Sequence, residues 1–370
     1  MLASCLLPSI YLDFWLTKCC THFLFVQWSP GQPEPVSWKE YYRQNPVVPT
    51  DYPSINAALN AAAGNGSRKK PRQIKNARIL VRPGRYDMAD AVTIHATRRT
   101  LQVTVEALHL PFCTTAATTY ATAAEQSGED LSQVILVSKT RRRNEPLFRV
   151  LRGELVLQNV YLQHACMGID IWNGNCAVQV QPVADETTTL SQPPGVSALA
   201  KAALKLKSVQ VSSSSGRGIV ATDGAFVSVQ DSLVHGCAAT GVYVGGAGSR
   251  AVLESVDVTE NGTGNQRVGG IARGHSGIYI EQGIVSVTNC NVSNNSASGL
   301  SIISPDQAEL RMNRTDVVLN GFNPIDLPIG NTSGVTVGSN CQVSAMGTAH
   351  ARSSVLQRKI LAEEKDADDS

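Results

Sequence analysis

Several things are scarce in this chain of 370 residues. Aromatic side chains make up 5% of it and charged ones 17%, and 32 basic residues are nearly offset by 30 acidic ones. A net charge of +2 excludes the global electrostatic footprint of a general DNA or RNA coat. No apolar run reaches 18 residues, which argues against a membrane-spanning helix. The nine cysteines are scattered, with no Cys-x-x-Cys pair and no Cys/His cluster at zinc spacing. No metal site and no cofactor are therefore expected. The cysteines read as small buried apolar residues of a protein in a reducing compartment, which favours an intracellular location over secretion. Six Asn-x-Ser/Thr triplets, at Asn65, Asn261, Asn291, Asn294, Asn313 and Asn331, point the other way. Asn- and Ser-rich turns produce such triplets by chance, so they weigh little.

What the chain does have is glycine, 30 residues of it, and a second half crowded with Val, Ser, Thr and Asn. That composition predicts many short strands and tight turns. Residues 1–28 are apolar but lack the basic start, unbroken core and small-residue cleavage site of a secretory signal, and they read as a packed helical fragment. Residues 29–50 are spaced by prolines and read as a linker, with Trp38, Tyr41 and Tyr42 as anchors to a neighbouring surface.

A repeat runs through the second half. Glycine-led apolar strands begin at Gly168, Gly218, Gly241, Gly277, Gly299 and Gly334, with steps of 23, 36, 22 and 35 from Gly218 onward. The underlying period is about 22–23 residues, interrupted by two insertions. Each repeat holds two further short strands, as in 225–229 with 233–234 and 283–287 with 291–292, separated by a polar turn such as Asp231-Ser232 or Asn289-Cys290. Three short strands with one apolar side cannot bury that side alone, whereas stacking the coils creates a continuous interior. The fold class predicted is all-β: a right-handed parallel β-helix, a solenoid over residues 51–345. The segment 183–200 is read as a loop insertion, and residues 346–370 as a helix with an acidic tail that can cover the last coil.

The first coil reads differently. A short helix is predicted over residues 57–63, then a basic loop at 68–72, strands at 77–81, 92–94 and 103–106, and a turn at 82–86. The helix can cap the open N-terminal end. The pattern Ser54-Ile55-x-x-Ala58-Leu59-x-x-Ala62, followed by Ile79-Leu80-Val81-x-Pro83-Gly84-x-Tyr86 and Val92-Thr93-Ile94, resembles the opening segment of pectin-lyase-like β-helix proteins. Pectinesterases, alginate epimerases, the NosD group and the β-helix domains of F-box proteins share it. The resemblance implies the fold and says little of activity, because catalytic and non-catalytic members open alike.

None of the catalytic motifs that the resemblance brings to mind is present. Gly274-His275-Ser276-Gly277 matches one fragment of the polygalacturonase pattern without its acidic partners. Carboxylates at equivalent positions of successive coils offer a motif-free alternative, with Asp231 and Glu254, or Asp257 and Asp316, as pairs. Solvated strand residues are the plainer reading of these, and surface turns that of His235 and His275. Tyr243 and Tyr279 occupy the same slot on successive glycine-led strands and should face outward together. They are the candidate binding residues, with a purely structural aromatic ladder as the alternative. The basic stretches 68–75 and 141–143 lack interleaved aromatics and read as solvated loops rather than a nucleic-acid surface.

The function expected is non-catalytic recognition of a protein, or of a glycan, along the solenoid face. Trp28 and the segment Ser37-Trp38-Lys39-Glu40-Tyr41-Tyr42-Arg43 resemble the stretch that follows an F-box, which implies a ubiquitin-ligase substrate receptor and ligase components as partners. The alternative is a secreted lyase, esterase or epimerase acting on acidic polysaccharide, and a third is an adhesive surface protein.

Overall fold

The computed structural model describes residues 46–62, 76–95, 102–108, 133–138, 145–166, 175–183, 202–268, 271–327 and 334–344. The apolar segment 1–28, most of the linker, the basic stretches, Gly168, the loop 184–200 and the C-terminal segment from 345 lie outside them. Apart from one helix and one small hairpin, the described elements are strands that pair in parallel with the corresponding strand of the next coil. The architecture is a right-handed parallel β-helix, the hand that parallel crossovers between twisted strands take.

Each coil contributes a strand to three faces. On the first face one inward column runs Ile79, Val105, Leu157, Leu206, Val229, Leu253, Val287, Met312 and Val337. A column on the second face runs Leu136, Leu162, Val211, Val234, Val258, Val292, Val317 and Val343. On the third face Phe148, Val178, Ile219, Val242, Ile278, Leu300 and Ile325 stack in the same way. Strictly alternating strands place one side chain of every two inward, and rungs spaced by about 4.8 Å let these columns touch without gaps. Nearly all of these residues are fully buried in one continuous core.

The corner between the first and second faces is a single residue with a left-handed backbone in coil after coil: Asn159, Ser208, Asp231, Ser255, Asn289, Arg314 and Asn340. Asn, Asp and Ser tolerate that region better than branched residues do, which is why the predicted polar turns fall here. The second-to-third corner is closed by Gly236, Glu260, Asn294 and Leu319, again at positive φ. Asn261, Asn295 and Asn320 follow the last three and form a buried ladder. Asn261 Nδ2 donates to Asn295 Oδ1 at 3.0 Å, and Asn295 Nδ2 to Asn320 Oδ1 at 2.9 Å. Each amide also donates to a strand carbonyl of the preceding coil, of Val234, Val258 and Val292 in turn.

The ladder explains the glycine-led repeat. A Cβ added at Gly277 would lie 2.6 Å from Asn295 Nδ2, and one at Gly299 2.7 Å from Asn320 Nδ2. Gly334 does not belong to that series. Val335–Val337 pairs with the strand holding Leu310 on the first face, and Pro324-Ile325 takes the slot after Gly299-Leu300. The second insertion inferred from its spacing therefore does not exist. The first one does, and it forms the antiparallel hairpin Gln266–Val268 with Ile271–Arg273.

At the N-terminal end the helix Ile55–Ala62 buries Ile55 and Ala58 into the core, with Ser54 Oγ accepting from the Ala57 N–H as its cap. Three readings change here. Val47-Val48, assigned to the linker, is a buried strand paired with Leu80-Val81. Gly84, read as part of a turn, opens the strand Gly84–Met88. Its neighbour Val134–Ser138 has no counterpart in the sequence reading.

Candidate functional site

The third face has an outward column as regular as its inward one. Arg149, Gln179, Val220, Tyr243, Tyr279, Ser301 and Asp326 occupy successive rungs, cationic at one end and anionic at the other. The side chains are tied to each other. Arg149 Nε donates to Gln179 Oε1 at 3.1 Å, Gln179 Nε2 to Gln181 Oε1 at 3.0 Å, and Gln181 Nε2 to Asp223 Oδ2 at 3.2 Å.

Tyr243 and Tyr279 form the centre of this strip. Their rings stack with centroids 5.7 Å apart and planes 15° from parallel. The Arg217 guanidinium carbon lies 4.4 Å from the Tyr243 ring centre, a cation–π contact worth about 1 kcal/mol. The Tyr243 hydroxyl donates to Glu281 Oε2. Room for the ring comes from Gly245, where an added Cβ would lie 2.7 Å from the Tyr243 hydroxyl oxygen. Burial, then the bond to Glu281 and its charge, hold the Tyr243 hydroxyl well above the usual phenol range, so it remains a donor at any physiological pH. The structure thus places both tyrosines outward and side by side, on the slots the repeat predicts.

Arg217 and His275 join them, and sequence reasoning did not connect these residues. His275 is buried and its Nδ1 lies 3.2 Å from Thr240 Oγ1. Burial and then the Arg217 charge lower its pKa to about 4, so the ring is neutral at pH 7. Asn265 staples the root of the hairpin to it, accepting from the His275 N–H at 2.7 Å and donating to its carbonyl at 2.7 Å. The surface-turn reading of His275 is therefore corrected: the hairpin insertion folds its following residue into the wall. His235 likewise ends the strand Phe226–His235 and stacks on Tyr161, with ring centroids 6.0 Å apart.

A second polar cluster sits at the corner of an earlier coil. His164 Nδ1 is 2.8 Å from Ser213 Oγ, and its Nε2 is 3.1 Å from both the Glu145 carbonyl and Cys166 Sγ. Burial drives the His164 pKa down to about 4 and the Cys166 thiol up. A neutral imidazole beside a protonated thiol is a packed hydrogen-bonded corner, not an activated nucleophile. The other described cysteines are free thiols too, and Cys176, Cys237 and Cys290 fill core positions as expected.

Of the proposed carboxylate pairs, Asp231 and Glu254 are not equivalent. Glu254 pairs with Gln230, and Asp231 is the left-handed corner residue one step on. Asp257 and Asp316 do share a column with Asn291 between them, both exposed on the second face. Two rungs set them about 10 Å apart. Among the described residues no three His, Cys, Asp or Glu side chains converge to hold a metal, and no helix is long and apolar enough to cross a membrane. Of the described glycosylation triplets, Asn261 is spent in the ladder with both amide hydrogens committed, while Asn294 is exposed.

Comparison with known proteins agrees with this architecture. The family model described as "Right handed beta helix region" matches residues 187–345 and supports the β-helix superfamily. No curated protein matches the chain. Among solved structures, ORF18 of Geobacillus virus E2 is similar at 10% identity with a TM-score of 0.34, covering 81% of this chain and 61% of that one.

Proposed function

We propose that this β-helix is a non-catalytic recognition module that binds a protein partner along its third face. The observation that carries the reading is the strip itself. Arg217, Tyr243 and Tyr279 lie in contact on one outward face, and Tyr and Arg are the side chains that dominate binding hot spots. Gln179 adds a half-buried amide to the same rigid column, so little side-chain freedom is lost on binding. A glycan platform would favour open ring faces, whereas the Tyr243 ring is already engaged by Arg217 and by Tyr279. The narrower reading, a substrate receptor of a ubiquitin ligase, rests on Trp28 and residues 37–43 and adds a second partner at that end.

A photo-crosslinking side chain at position 279, compared with one at Ser286 on the first face, tests the proposal in cell extract. The expected result is a discrete protein adduct from position 279, absent from position 286 and reduced at least tenfold by Tyr243→Ala, in keeping with a hot-spot loss above about 1.4 kcal/mol. Equal capture of the same protein from both faces would overturn it.

A further inference from the structure

Several charged groups of the third face are matched among the described residues. Arg149 is held by Gln179, Asp223 by Gln181, Glu281 by Tyr243, and Asp326 by the Asn323 amide. The Arg217 side chain makes no hydrogen bond or ion pair among the described residues, and its Nε is buried without a partner. Its backbone N–H is fixed to the Asn175 carbonyl at 2.7 Å. The guanidinium lies over the Tyr243 ring, which Tyr279 and Glu281 hold in turn. A planar fork, already oriented and partly stripped of water, is what binds a carboxylate through two parallel hydrogen bonds.

We propose that Arg217 is the seat for an acidic side chain, aspartate or glutamate, presented by the protein that the third face recognises. This rests on the protein-recognition reading above and adds the chemical identity of its central contact. The surroundings suit an incoming anion. The His275 imidazole is neutral at pH 7 and so adds no second positive charge, and the Arg217 charge is already felt at His275, Tyr243 and Tyr279. Glu281, the acid on the neighbouring rung, is engaged by the Tyr243 hydroxyl rather than by Arg217.

The test uses the full chain and fluorescein-labelled hexaglutamate, with hexaglutamine and hexagalacturonate as comparison probes, followed by anisotropy. Hexaglutamate should bind, weaken as salt rises, and lose at least tenfold in affinity in Arg217→Gln. Arg217→Lys should fall between, because an ammonium keeps the charge and loses the fork. Arg250→Gln, which removes an exposed cation of the first face, should change affinity less than twofold. In the wild-type chain at pH 7 the Arg217 Nε–H resonance, followed by NMR, should shift on binding hexaglutamate. A merely structural Arg217 would leave that resonance in place.

Absence of hexaglutamate binding up to 10 mM, or binding that Arg217→Gln leaves unchanged, would overturn the proposal. Equal binding of hexaglutamine would also overturn it, as would binding of hexagalacturonate alone, which assigns the seat to a glycan. Circular dichroism melts of each variant separate a lost contact from a lost fold. If position 279 still captures its partner in Arg217→Gln as well as in wild type, this inference alone fails. If position 279 captures no more than position 286, the recognition reading fails first.

Discussion

Asn295 shows how much a single residue is asked to do in this solenoid. Its Oδ1 accepts from the Asn261 side chain and backbone N–H at 3.0 Å each, and its Nδ2 donates to Asn320 Oδ1 and to the Val258 carbonyl. All three asparagines are buried, so none of these groups has water to fall back on. Asn295→Ala therefore leaves several buried polar groups unmatched and should cost about 3 kcal/mol of stability, read by denaturant unfolding. Asn295→Asp should be comparably damaging, because it removes the two donated hydrogen bonds and buries a charge.

At the scale of an element, a strand's worth depends on how many neighbours it has. The strand Arg250–Thr259 is paired on both sides, with Phe226–His235 and with Gly283–Thr288 and Asn291–Ser293. Val335–Val337 pairs on one side only among the described residues, and Val337 is partly exposed. Leu253→Ala should therefore cost about 3–4 kcal/mol, as for a fully buried leucine whose surroundings cannot collapse. Val337→Ala, in the same column, should cost about 1 kcal/mol. Unfolding midpoints of the two variants check the contrast, and equal losses would show that the end coil is as tightly packed as the middle.

For the whole molecule, acidity is the lever that the buried histidines create. His164 titrates at about 4 in the folded chain against 6.5 when exposed, because burial penalises its charged form. The unfolded chain thus binds more protons between these values, and the stability this provides is complete above pH 6.5 and lost as pH falls toward 4. From His164 the loss between pH 7 and pH 5 is about 2 kcal/mol. His275 shifts in the same direction and adds to it. Urea unfolding at the two pH values reads the difference, and His164→Asn should roughly halve it, leaving the share that His275 contributes.

The sequence by itself determined the coil. Alternating apolar residues every two positions, polar corner residues and a glycine step of 22–23 favour stacked three-stranded rungs, because stacking buries those columns in one continuous interior. It also put Tyr243 and Tyr279 outward on one slot, since period and pleat are local properties. Only the tertiary structure decided what meets across rungs. Gly334 carries the local signature of a glycine-led strand, yet the next coil's register assigns it to another face. His275 reads as a turn residue until the hairpin Gln266–Val268 with Ile271–Arg273 turns it inward. Arg217 stands 26 and 62 residues from the tyrosines it joins, and nothing in its own neighbourhood predicts that it lies against one of them with its Nε buried and without a hydrogen bond among the described residues. Contacts along the chain follow from spacing; contacts between coils depend on loop lengths, which a sequence period does not contain.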